Sequence, residues 1–129
     1  MANIQLDLTI RQWATIDAQM DNSAYLMRES AAARGDVSEQ DMPRLGSLGL
    51  DELPIGIRES GSAQVPWVGP DKVWPPDEQV LSIELMDSQW QFIAIELREA
   101  VGVYEQLGDQ VSQRLTADAL RVIESGVAS

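Results

Sequence analysis

The chain contains no histidine and no cysteine, so the side chains left to do polar chemistry are mainly carboxylates and hydroxyls. Those absences remove the Ser-His-Asp triad, the His-ligated zinc site, the thiolate nucleophile and every disulfide. What survives is acid-base or divalent-metal chemistry on oxygen. Asp17 and Asp21 stand one helical turn apart, Glu96 and Glu99 are similarly spaced, and either pair with water could hold a hard cation such as magnesium. Neither matches the alternating Asp/Asn loop of a calcium hand. Asp17 with Glu84 or Asp7 would make an acid and a base only if the fold brought them together. In so acidic a chain, solvated helix faces account for these carboxylates better, and we assign no catalytic residue, no metal site and no cofactor.

Other catalytic signatures are absent. The serines of GSLG and ESGS lack the strand-turn-helix context of a nucleophile elbow. Leu8-Thr9-Ile10 and Leu85-Met86-Asp87 run straight from strand pattern into helix pattern, leaving no room for the glycine-rich loop that cradles a nucleotide phosphate.

The binding candidates are apolar. Trp67 and Trp74 lie in VPWVGPDKVWPPDE, where flanking prolines would either hold the rings out as a rigid surface or fold them back as lids on the core. Phe92, Ile95 and Val103 form a second ridge, interrupted by Glu99, on the back of a helix whose front carries Trp90, Ile93, Leu97, Val101 and Tyr104. A helix apolar on two sides must be covered twice. These five residues, Trp67, Trp74, Phe92, Ile95 and Val103, are the interface candidates.

Charge narrows the partner. With 21 acidic against 9 basic residues the net charge is −12, which argues against nucleic acid, whose phosphates need clustered Lys and Arg. A basic protein is compatible with it. The stretch MANIQLDLTI has no basic region ahead of an unbroken apolar run, and no apolar segment approaches the roughly 18 residues of a membrane span, so the expected location is the cytoplasm, away from any membrane.

The 129 residues, 44% apolar, suit one domain. Ile4, Leu6 and Leu8 alternate with polar residues as a strand does, and Thr9 with Gln12 makes a capping box. Ile10, Trp13, Ile16, Met20, Ala24 and Met27 then trace a helix face ending near Arg34, with Gly35 as its cap. A second strand over Leu81, Ile83 and Leu85 feeds a helix capped by Asp87 or Ser88 and closed by Gly108. Setting Trp13 on Trp90 aligns the two units, a weak internal repeat.

Between them, 35–79 holds all six prolines and six of the nine glycines. One helical turn is expected over Asp36 to Met42. Leu53 to Arg58 and Ala63 to Val68, separated by Glu59-Ser60-Gly61-Ser62, read as a hairpin. Thr116 is the expected N-cap of a last helix carrying Ala119, Leu120, Ile123 and Val127. The expected fold is therefore α+β in the order β-α-β-β-β-α-α, a single domain of units 4–34, 35–79, 80–108 and 109–129. Since a two-stranded sheet is marginal in water, it should gain strands from the hairpin, from a second chain, or from both.

The functional expectation is a non-catalytic protein-interaction module acting as a homodimer. An acidic inhibitor of immunity type that neutralises a basic partner is one alternative, and an enzyme using carboxylates and a divalent metal is another.

Overall fold

The computed structural model describes residues 3–33 and 52–127. The elements are β1 (Asn3–Thr9), α1 (Ile10–Ala33), α2 (Glu52–Ser62), β2 (Val80–Met86), α3 (Asp87–Leu107) and α4 (Gln110–Val127). The molecule is mostly helical, and its order is β-α-α-β-α-α, not β-α-β-β-β-α-α. The Gly35 cap and the turn over Asp36 to Met42 lie outside the described residues.

Both strands keep the period of two read from their sequence. Leu6, Leu8, Leu81, Ile83 and Leu85 are buried, while Gln5, Asp7, Ser82 and Glu84 face out. The strands pair antiparallel, with Leu6 opposite Ile83.

The two units repeat at one fixed spacing. Asn3 to Val80, Thr9 to Met86 and Ile10 to Asp87 are each 77 residues apart, so both strands and both helix starts coincide under one shift. Leu6 and Ile83 are counterparts under that shift and also partners in the ladder, which places an approximate twofold axis between them, normal to the sheet. Local chemistry follows the same relation. Thr9 N–H donates to Gln12 Oε1 at 2.9 Å, and Met86 N–H donates to Gln89 Oε1 at 2.9 Å. Each helix thus starts with a glutamine reaching back over the residue before it. In α3 the cap is Met86, in extended backbone, rather than Asp87 or Ser88. Trp13 and Trp90, also counterparts, are both fully buried.

One core joins all six elements. Ile16 and Met20 of α1, Ile93 and Leu97 of α3, Ile57 of α2 and Ile123 of α4 close on the inner face of the sheet. Burying each such side chain contributes about 1.5–3 kcal/mol, which is how helices stabilise a sheet too small to stand alone.

The first arm of the expected hairpin and its turn lie in α2, and the second arm, Ala63 to Val68, forms no ladder with it. Leu53, Ile55 and Ile57 alternate like a strand, yet the buried residues of α2 are Pro54, Ile57 and Gly61, the spacing of one helical stripe. Pro54 sits in the first turn, where a missing N–H costs nothing because that N–H has no partner inside the helix. Gly61, read as a turn residue, lies against the Trp13 ring: a Cβ there would stand 2.0 Å from the ring edge. Beyond α2 the only pairing among the described residues of the segment is an isolated bridge, Val68 with Val73, closed around Gly69 at φ +73°.

Among the described residues, then, the sheet gains no third strand. The side-chain amide of Gln64 stands beside β2 instead: it donates to Glu84 O at 2.8 Å and accepts from Glu84 N–H at 2.7 Å. The end of the proline-rich segment is tied to α1, whose first two N–H groups, of Ile10 and Arg11, donate to Gln79 O and Asp77 O. The last helix starts earlier than its sequence suggests. Asp109 caps it by accepting from Ser112 N–H at 3.1 Å, and Thr116 is buried inside the helix. Gly108, left-handed at φ 74°, closes α3 as its position predicts.

Candidate functional site

Two concave surfaces involve the residues singled out from the sequence. The first is a groove of about 240 Å³ between α1 and α3. Its lining includes Gln19, Asn22 and Leu26 from α1, and Glu96, Glu99 and Val103 from α3. At the 77-residue spacing these are three counterpart pairs, Gln19 with Glu96, Asn22 with Glu99 and Leu26 with Val103, so the twofold axis runs through the groove. Beside Tyr104 it continues into a shallower cleft reaching Ser112 and Leu115 at the start of α4.

The two walls have the same shape and different charge. The α1 wall presents two neutral amides, and the α3 wall presents two carboxylates at the matching positions. Glu96 and Glu99 form no ion pair among the described residues. Partial burial, followed by the neighbouring Glu99 charge, raises the Glu96 carboxyl above its usual 4.5. An acid held in this way is relieved by an approaching cation. Leu26 at one end and Val103 and Ala100 on the other side supply apolar surface. The arrangement can bind a positive charge and the aliphatic stem that carries it.

The second surface is an open bowl of about 480 Å³ under the Trp-Pro segment, lined by Asp17, Ile55, Arg58, Glu59, Ser62, Trp67 and Trp74. Trp67 packs against the core and donates its ring N–H to Ser62 O at 2.9 Å. Trp74 is 39% exposed and leans on Trp67 with ring centres 4.5 Å apart at 59°. The first ring is a lid and the second is partly surface. The guanidinium lining the bowl is already engaged, since Arg58 bonds Asp17 at 3.0 Å and Asp21 at 2.9 Å. Those bonds, the one to Asp17 foremost, hold the guanidinium above its usual pKa against the opposing effect of burial.

The sequence candidates therefore separate. Phe92 is half-buried against the core, whereas Ile95 is 58% and Val103 48% exposed. Only Val103 of the three lines the groove. The Asp17 and Asp21 pair is bound to Arg58, Asp7 accepts from Ser82 Oγ, and Glu84 lies beside Gln64. No Asp17-Glu84 or Asp17-Asp7 acid-base pair is formed in this arrangement. Among the described residues no three carboxylates converge as a metal site would require. Also among them, no helix is long and apolar enough to cross a membrane.

Gln19 and Asn22 are the residues that sequence reasoning missed. Both lie off the apolar face traced by Ile10, Trp13, Ile16 and Met20, and the signal that identifies them is the 77-residue shift, which sets them on Glu96 and Glu99. No protein-family model, curated protein or solved structure matches this chain.

Proposed function

We propose that this protein is a non-catalytic, cytoplasmic interaction module that captures a basic partner protein in the groove between α1 and α3. The observation that carries this reading is Glu96 and Glu99, without an ion pair among the described residues, set into a groove with apolar ends on a chain of net charge −12. Charge of that size accelerates encounter with a cationic protein, and the groove supplies a place to stop. The bowl beneath Trp67 and Trp74 supports the same class of role less strongly, because its Asp17 is already bound to its Arg58.

The test is capture of basic proteins by immobilised wild type and by E96Q/E99N, washed at increasing salt. We expect a salt-sensitive set retained by the wild type and released earlier from the variant. Equal retention by both, or retention indifferent to salt, would sink the groove reading.

Self-association is a second reading, favoured by a different surface. Leu107 and Val111, flanking the α3-α4 turn, are 72% and 69% exposed. Large apolar side chains this exposed on both sides of one turn offer surface that a homodimer would cover. Sedimentation of L107N/V111N beside the wild type decides it, since a dimer made there becomes monomeric in the variant.

A further inference from the structure

We infer that the occupant of the groove is one amphipathic helix of a partner protein, bearing two basic residues a turn apart, and that the chemical difference between the walls fixes its direction. This rests on the reading of the groove as the site for a basic partner.

The spacing of the acids supports a helical occupant. Glu96 and Glu99 are three residues apart on α3, about 4.5 Å along its axis, which is the rise between cations at i and i+3 on a second helix. Leu26 and Val103 give that helix apolar footing on both sides of the charges. The occupant is a different protein and not a second copy. Each copy carries a net charge of −12, so two copies repel and a second one is a poor occupant for an acidic groove.

Direction follows from the axis. An exact twofold groove would accept a helix equally in both directions, because the axis turns the groove onto itself and the ligand end for end. Here the axis carries Gln19 onto Glu96, Asn22 onto Glu99 and Leu26 onto Val103, so over these three pairs the frame is twofold and the charge is not, while Tyr104 and the α4 cleft extend one end alone. A helix with its basic pair off-centre can set those charges on α3 in one direction only.

The frame also supplies the experiment. In E96Q/E99N both walls become amides, and in Q19E/N22E/E96Q/E99N the walls are exchanged. The probe is a synthetic amphipathic helical peptide with an arginine pair near one end, labelled at that end, measured against nona-arginine. Because the chain has no cysteine, V111C places a single second label near the α4 end of the groove. Circular dichroism verifies that each variant is folded; if a multiple variant is not, the single substitutions E96Q and E99N are used with the same readout.

Wild type should bind the peptide at least about tenfold more tightly than E96Q/E99N does. The exchanged variant should recover that affinity with the distance between labels changed from near to far, or the reverse. Full affinity in E96Q/E99N, no recovery on exchange, or recovery with the distance unchanged overturns the inference. Equal binding of peptide and nona-arginine by wild type, insensitive to E96Q/E99N, removes the helix and leaves the protein a general binder of basic partners. Binding of neither probe removes the basic-partner reading itself.

Discussion

Trp13 and Trp90 occupy equivalent places in the two halves of the molecule, each on the second turn of the helix that follows a strand, and both are fully buried. Only one is fully satisfied. The ring N–H of Trp90 donates to Ile4 O at 2.8 Å, whereas the ring N–H of Trp13 is buried without a partner among the described residues. Their coverings differ as well: the Trp13 ring lies against the backbone of α2 at Gly61. On the other side α4, a longer helix with no proline, packs along α3. The comparison teaches that the repeat is shared in frame and unequal in quality. The N-terminal half is held by a short helix pressed onto an aromatic ring, and the C-terminal half by a long helix hairpin.

The sharpest way to break the comparison is at the two glycines that lie under side chains. A Cβ at Gly61 meets the buried Trp13 ring at 2.0 Å, and a Cβ at Gly126 meets the end of Leu6 at 2.1 Å. A rigid indole in a full core cannot give way, but a leucine terminus can rotate. G61A should therefore cost about 3 kcal/mol and G126A about 1 kcal/mol, read from denaturant midpoints. Equal losses would show that Trp13 sits no tighter than Leu6.

The indoles themselves give the next largest difference. Trp-to-Phe leaves a similar void at each position, so the contrast between W90F and W13F isolates the hydrogen bond to Ile4 O. W90F should be worse by about 1 kcal/mol. A larger loss from W13F would mean that its ring N–H has a partner after all.

The smallest effect belongs to Glu96, whose carboxyl is raised first by burial and then by Glu99. Because its folded pKa lies above the unfolded one, the native state binds the proton more readily. Stability on this account is greatest at low pH and falls as pH rises from 4.5 through the folded value. E96Q should then be slightly more stable than wild type near neutrality and lose that advantage in acid, in urea titrations at the two pH values. The i,i+3 repulsion it removes is worth about 0.3 kcal/mol. An advantage that persists in acid would have another cause.

Much of the frame was legible where a single period rules. Ile4, Leu6 and Leu8 alternate, Gln12 and Gln89 recur beside Trp13 and Trp90, and Gly108 ends a helix as glycine usually does. The reading failed at α2 because two periods overlap there. Leu53, Ile55 and Ile57 satisfy a strand, and Pro54, Gly56 and Gly61 looked like breakers until their places were known. A proline in the first turn and a glycine beneath a ring both depend on the tertiary frame, which no local pattern carries. Thr116 misled for a related reason: a buried threonine and a capping threonine look alike in sequence. The groove is half legible in the sequence, since Glu96 and Glu99 form a spaced acidic pair there, but their opposite wall of Gln19 and Asn22 carries no charge.

Gln64 has a consequence for the protein in crowded solution. By occupying both the N–H and the C=O of Glu84, its side chain fills the middle of the outer margin of β2 with a partner that is not a strand. A foreign strand seeking to zip onto that margin would first have to displace it. Unprotected strand margins are templates for aggregation, so one glutamine from a turn acts here as a stopper against it.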